Sequence, residues 1–244
     1  MRPRLIYPSW PAPAAVKSVS TTRIGGHSPA PFNSFNLGFG NGDDRHYVDA
    51  NRRTLCNELD LEHEPLWLSQ VHGNECVDVA TATHGVPADA AISSQAQRPC
   101  AIMTADCLPV LLCDRDGTRV GAAHAGWRGL AAGVIENTVA RLDCAPQSVL
   151  AWLGPCIGPQ AYEIDAQVYD AFVNAYPQDD AHFTATRAGH WNADLHGLAT
   201  ARLGRLGIDA VYPASLCTAT HTQTFFSYRR DGPTGRMASL IWIA

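Results

Sequence analysis

Cys107 and His124 are the residues of this chain whose types and spacing point first to chemistry. They lie in ADCLPVLLCDRDGTRVGAAHAGW, residues 105–127, where two runs rich in Val, Leu and Ala flank Asp114-Arg115-Asp116-Gly117. That pattern predicts a β-hairpin with a tight acidic turn. A turn centred between Arg115 and Asp116 sets Cys107 opposite His124. A turn centred between Asp116 and Gly117 sets His124 opposite Pro109, with Cys107 on the diagonal. Side chains alternate along a strand, so both registers leave thiol and imidazole on one face, within about 5–8 Å at Cβ.

Thiolate sulfur and imidazole nitrogen are good zinc ligands, and a catalytic zinc site takes three protein ligands and keeps a fourth position open. The third candidate is His72 in LSQVHGNECVDV, at the end of a strand-like run beside Gly73-Asn74, where a turn presents its ring at a sheet edge. Two metal-free readings use the same residues. His124 can deprotonate Cys107 to make a nucleophile for amide or ester hydrolysis, or the cysteine is an ordinary buried thiol and the histidines are satisfied by backbone. Two histidines and a cysteine also suit copper with Met103 as axial ligand. Met103 is four residues from Cys107 on an extended stretch, too far for an easy axial contact, and no His-x-His pair exists to build a trinuclear copper cluster.

After His124 the chain runs HAGWRGLAAGVIENTV, from strand through small residues into a helix near Gly129. Free backbone N–H groups there, with Arg128, predict a site for phosphate or another anion near the cysteine. The alternative is that Gly126 and Gly129 permit a tight turn and Arg128 is solvated. The glycine-rich loop STTRIGGHSPAPFNSFNLG offers Arg23, Phe35 and Asn36 as ligand contacts, or is only a turn. FFSYRR, residues 225–230, sets aromatics beside arginines, so Phe226 and Arg229 suit stacking on a base and pairing with phosphate. It reads equally well as core followed by an edge. Cys156, in LGPCIGPQAYEI, reads as a buried loop thiol.

The elements that must position these residues are mixed. Val16–Thr21, Leu66–Ser69, Glu75–Ala80, Ala101–Thr104, Leu108–Cys113, Arg119–His124, Val149–Leu153 and Ala238–Ile243 read as strands. Asp43 or Asp44 caps a helix with Tyr47, Val48, Leu55 and Leu59 inward. Asp165 caps another with Val168, Tyr169, Phe172 and Tyr176 inward, stopped by Pro177. Leu130–Leu142 and Asp194–Leu206 complete the helices. There are no regular βαβ units, repeats or linkers, so residues 1–244 read as a single α+β domain.

Composition narrows the functional classes. At 244 residues, 46% hydrophobic and 17% charged, the chain has material for a sizeable core. A net charge of -5 gives no footprint for nucleic acid. No apolar run approaches the roughly 18 residues of a membrane span. Arg2 and Arg4 imitate a signal-peptide start, but Pro8, Pro11 and Pro13 break any apolar run behind them, so the expected compartment is cytoplasmic. Eight cysteines contain no C-x-x-C pair, which argues against a zinc ribbon or thioredoxin-like motif. The expected partner is a small molecule.

SQVHG, PADAAIS, TADCLPVLL, AHAGWRG, LGPCIGP and FFSYRR resemble the successive motifs of the YfiH family, also called the laccase-domain or multicopper polyphenol oxidase family. The resemblance runs from about Thr21 to the C-terminus. It implies an α+β fold of mixed sheets flanked by helices, similar to a bacterial deamidase toxin domain. It implies that His72, Cys107 and His124 are the metal-binding and catalytic residues, with Zn2+ as cofactor and Cu2+ as the second candidate. It further implies purine nucleoside phosphorylase activity on adenosine, inosine and methylthioadenosine, with adenosine deaminase activity. The alternatives are a Cys-dependent enzyme editing a peptidoglycan precursor, a copper-dependent polyphenol oxidase, and a non-catalytic zinc-binding module.

Overall fold

A computed structural model describes residues 2–244. The hairpin forms the centre of the larger sheet because its arms are apolar on both faces, as a strand covered on both sides requires. Its arms are β6 (Leu108–Asp114) and β7 (Val120–Ala125), buried throughout. They sit in a six-stranded sheet of order β12 (Val211–Pro213), β8 (Val149–Leu153), β6, β7, β4 (Ala90–Ser93), β3 (Cys76–Asp78). His124 pairs with Pro109 and Leu108 with Ala125, so the turn is centred between Asp116 and Gly117. Asp114 fixes that register: its carboxylate accepts from Thr118 N at 2.7 Å, Thr118 Oγ1 at 2.6 Å and Arg119 N at 2.9 Å.

A second sheet, of order β1 (Leu5–Ile6), β2 (Val16–Thr21), β13 (Met237–Ile243), β5 (Cys100–Thr104), is antiparallel throughout. Ile102 and Ile241 from this sheet join Leu111, Cys113 and Ala122 of the hairpin in one buried cluster. Val110, Leu112 and Ala123 face the other way, packing with Val134, Ile135, Leu198 and Leu203. Those residues belong to α3 (Val134–Leu142) and α5 (Leu195–Arg205). The second sheet's outer face is covered by α1 (Arg45–Glu58) through Leu55, beside Val19, Ala101 and Leu240. A small sheet, β10 (Phe183–Arg187), β11 (His190–Ala193), β9 (Glu163–Asp165), lies beside α4 (Ala166–Val173). α2 (Trp127–Ala131) and α6 (Tyr228–Asp231) complete the set of helices named here. The α+β class is as expected, and no helix is long and apolar enough to cross a membrane among the described residues.

Several elements differ from the sequence expectation. Leu66–Ser69 makes only isolated bridges, Leu66 to Cys100 and Ser69 to Pro87. The helix expected over Leu130–Leu142 is broken between α2 and α3 by Gly133, whose φ of +88° is the left-handed region that favours glycine. Asp44 caps α1 by accepting from His46 N at 2.8 Å. Val48 and Leu55 are buried there with Asn51 and Arg52, Leu59 is partly buried against the same cluster as Leu55, and Tyr47 is not among the buried residues. Asp165 caps α4, which buries Val168 and Phe172 and ends at Val173, ahead of Tyr176.

Candidate metal centre

The three candidate ligands reach one point from three kinds of backbone. His124 is in β7 and only 3% exposed. Cys107 immediately precedes β6, and His72 sits on an exposed loop with φ of +62°. Their donor atoms all lie within 4.8 Å of one another. Cys107 Sγ is 4.0 Å from His72 Nε2, and the two imidazole rings meet edge to face with centroids 4.8 Å apart. Gly126 closes the cradle. A Cβ there would stand 2.9 Å from Cys107 Sγ, 3.2 Å from His72 Cδ2 and 3.6 Å from His124 Nε2. At Gly129 a Cβ would stand 2.7 Å from the Gly73 carbonyl, so both glycines allow close approach between α2 and the His72 loop.

Asp89, fully buried, organises the histidines. Its carboxylate accepts from His124 Nδ1 at 2.8 Å and from the backbone N–H groups of Val71, His72 and Gly73 at 3.1, 3.0 and 2.7 Å. A proton on Nδ1 leaves His124 Nε2 free for the cluster, the second-shell arrangement of a histidine metal ligand. The same bonds hold the His72 loop in a left-handed conformation that costs of order 1 kcal/mol for a non-glycine residue. Asp106 does similar work beside the cysteine. It accepts from Thr218 Oγ1 at 2.6 Å, Ser227 Oγ at 3.0 Å and Arg229 N at 2.7 Å, tying Cys107 to the FFSYRR segment.

Charge separates Cys107 from the chain's other buried thiols. Burial pushes Cys76 up to about 11 and Cys113 to about 12, and holds Cys100 and Cys156 well above the usual thiol value. Burial opposes ionisation of Cys107 too, but His124 and His72 overcome it and bring the thiol down to about 6. Burial alone would lower His124; the Cys107 thiolate and Asp89 raise it to about 9. Without a metal, each group favours the charged form of the other, the thiol shifted down and the imidazole up. A thiolate and two imidazoles around an open point, with a carboxylate behind one ring, fit a tetrahedral ion with a free position.

The cluster floors a cavity of about 480 Å³, within the usual range for small-molecule sites. Phe39, Tyr162, Tyr228, Arg229 and Arg236 form its walls. Arg229 Nη1 donates to the Glu163 carbonyl at 2.8 Å, and the guanidinium lies 5.2 Å from the Tyr162 ring centre. The other substrate residues expected from sequence do not line this cavity. Arg23 borders a separate, polar cavity of about 370 Å³, where it donates to the carbonyls of Asn33 and Thr222 at 3.0 and 3.1 Å. Asn36 is buried as a loop hub, its Oδ1 accepting from Gly38 N at 3.0 Å and Arg236 N at 2.8 Å. Phe226 is fully buried in a cluster with Ala105, Phe225 and Met237. Arg128 is exposed and lies 4.5 Å over the Trp127 ring. Cys156 is a buried loop thiol, 3.7 Å from His196 Nε2. Sequence reasoning missed Asp89, though PADAAIS contains it, and Gly38 and Arg236.

An α+β scaffold that presents a Cys/His/His donor set at the floor of an open cavity defines a class of candidate metalloprotein. Residues 17–244 match the family described as multi-copper polyphenol oxidoreductase laccase, and the chain belongs to that family. Among its relatives, purine nucleoside phosphorylase PA4543 of Pseudomonas aeruginosa is 50% identical over 98% of each chain. Purine nucleoside phosphorylase YfiH of Escherichia coli K12 is 46% identical over 98% of this chain and 99% of its own. The crystal structure of Neisseria meningitidis protein NMB0706 superposes with a TM-score of 0.95 at 46% identity, covering 98% of both chains.

Proposed function

We propose that this protein is a metal-dependent purine nucleoside phosphorylase acting on adenosine, inosine and methylthioadenosine, with adenosine deamination as a second activity. One observation carries the reading: an ordered Cys107/His72/His124 donor set with an open side forms the floor of a nucleoside-sized cavity. The names of relatives at 46–50% identity over nearly the whole chain support it. In phosphorolysis a phosphate oxygen bonds to ribose C1′ as the C1′–N9 bond breaks, and the departing purine takes a proton.

Zn2+ suits a site of one thiolate and two imidazoles and, when bound, supplies a Lewis-acidic centre at the cavity floor. The chain's own residues do the rest. Phe39, Tyr162 and Tyr228 offer aromatic surface for the purine, and Arg229 offers a cation beside Tyr162. Burial pushes the Tyr162 phenol up, which keeps it protonated and able to donate. Asp89 holds the proton of His124 on Nδ1. Multi-copper chemistry is less well supported, because one His/Cys/Asp/Glu group of metal-holding geometry occurs among the described residues.

A second reading, a Cys-dependent hydrolase or editing enzyme for a peptidoglycan precursor, draws on the low pKa of Cys107 beside His124. Incubating the purified protein with adenosine, with and without phosphate, separates the readings. Ribose 1-phosphate and adenine, formed only with phosphate, are expected; inosine and ammonia mark deamination. Absence of both product sets contradicts the proposal and turns attention to the hydrolase.

A further inference from the structure

The cavity above the Cys/His/His cluster has two arginines on its wall, Arg229 and Arg236. Among the described residues no carboxylate forms an ion pair with either. Asp106, the carboxylate on the same wall, is already engaged by Thr218, Ser227 and the Arg229 backbone. A half-buried cation without an anionic partner, in a cavity open to small molecules, is an incomplete electrostatic arrangement.

Arg236 is held in place to serve the cavity. Its backbone N–H donates to Asn36 Oδ1 at 2.8 Å and its carbonyl accepts from Leu37 N at 3.0 Å, which fixes the start of β13 against the loop. Its stem crosses Gly38. A Cβ on Gly38 would stand 2.6 Å from Arg236 Cγ and 3.0 Å from its Cβ, so the absence of a side chain there makes the path. At the far end Nη1 donates to the carbonyls of Thr234 and Gly235 at 2.9 and 3.1 Å. Nε and Nη2 have no protein acceptor among the described residues. Nε–H and the Nη2–H syn to it form the edge that grips two oxygens of an oxyanion at once.

We propose that Arg236, laid across Gly38 and assisted by Arg229, binds the oxyanion co-substrate, inorganic phosphate, on the wall of the cavity beside the Cys107/His72/His124 cluster. The phosphate identity rests on the phosphorylase reading above; the anion subsite itself rests on the geometry of the two arginines. Arg128, outside the cavity and stacked on Trp127, is the competing candidate. Burial lowers the Arg236 pKa, while the negative groups of Cys107 and Asp106 favour its charge.

The test is calorimetric titration of inorganic phosphate into the metal-loaded protein and into its Arg236→Gln, Arg236→Lys and Arg128→Gln variants, with metal content and circular dichroism recorded for each. Removing a charge-assisted contact is expected to weaken phosphate binding about ten- to a hundredfold in Arg236→Gln. Metal content stays at the wild-type level, and Arg236→Lys recovers part of the affinity. In steady-state assays the loss falls on the KM for phosphate more than on the KM for nucleoside. The inference is overturned if a folded, metal-loaded Arg236→Gln binds phosphate like wild type, if only Arg128→Gln weakens it, or if the wild type binds none. Phosphate binding that depends on Arg236 without ribose 1-phosphate formation sustains the subsite and contradicts the phosphorylase reading alone.

Discussion

At the scale of single residues, the chemistry rests on one thiol made unlike its neighbours. Two imidazoles face Cys107 and bring its thiol down to about 6, whereas burial holds Cys100 and Cys156 well above the usual thiol value, the latter even with His196 beside it. Replacing Cys107 by alanine removes one of the three proposed ligands. Elemental analysis should find close to one zinc per chain in wild type and almost none in Cys107→Ala, with activity lost in parallel. Asp89→Asn keeps the ligands but weakens their support, so competition with a chromophoric chelator should show metal affinity about 10–100-fold lower. In metal-stripped protein the thiolate form persists down to about pH 6, the Cys107 value, and His124 keeps its proton up to about pH 9. The pair's contribution to stability is therefore present between those limits, lost below by protonation of the thiolate and above by deprotonation of the imidazolium. Alkylation of Cys107 by iodoacetamide should rise with a midpoint near pH 6; a midpoint near 9 would show that the histidines do not act on it. Cys107 and His124 were legible because their spacing about the hairpin turn puts them on one face, and His72 because Gly73-Asn74 marks a turn beside it. Asp89 was not, since nothing in a sequence with 23 acidic residues marks the one carboxylate that meets three backbone N–H groups of a distant loop.

At the scale of elements, the hairpin was legible because its arms are continuous apolar runs around an acidic turn. Its register came down to Asp114, whose carboxylate gathers Thr118 and Arg119 and shifts the turn centre to Asp116-Gly117. Short strands such as Glu163–Asp165 and Val211–Pro213 were not legible, because three residues carry no periodicity and pairing with a neighbour defines them. Arg23, Asn36 and Phe226 looked available in sequence but are consumed by the scaffold, as carbonyl clamp, loop hub and core ring. Two glycines in the segment after His124 play opposite parts. Gly126 has an ordinary φ of -64°, so Gly126→Ala should keep its stability within about 1 kcal/mol, while the new methyl crowds Cys107 and His72 and lowers metal affinity at least about tenfold. Gly133 has φ of +88° and a Cβ there meets nothing closer than 3.6 Å, so Gly133→Ala should cost about 1 kcal/mol by thermal melting and leave the metal in place. Equal metal loss in both variants would contradict this division.

At the scale of the whole molecule, the site is built on a core that does not need it. The hairpin is covered on one face by α3 and α5 and on the other by the second sheet, with Ile102, Leu111, Leu112 and Ile135 fully buried. Chelation should therefore leave the far-ultraviolet circular dichroism spectrum unchanged and remove only the binding linkage, about 3–4 kcal/mol of stability for an ion present at about 100–1,000 times its Kd, read as a lower melting temperature. Collapse of the spectrum on chelation would make the metal structural instead. The broad α+β class followed from apolar strands and capped helices that do not alternate in regular βαβ units. The stacking of two sheets with α1 on the far side did not, because it is set by long-range pairing of strands from the two ends of the chain, β2 with β13. The most direct measurement of the central claim is ribose 1-phosphate formation from inosine and phosphate by chelator-stripped protein, before and after one equivalent of zinc. Almost no product is expected from the stripped protein, with recovery on adding zinc; full activity in the stripped protein would show that the reaction does not need the metal.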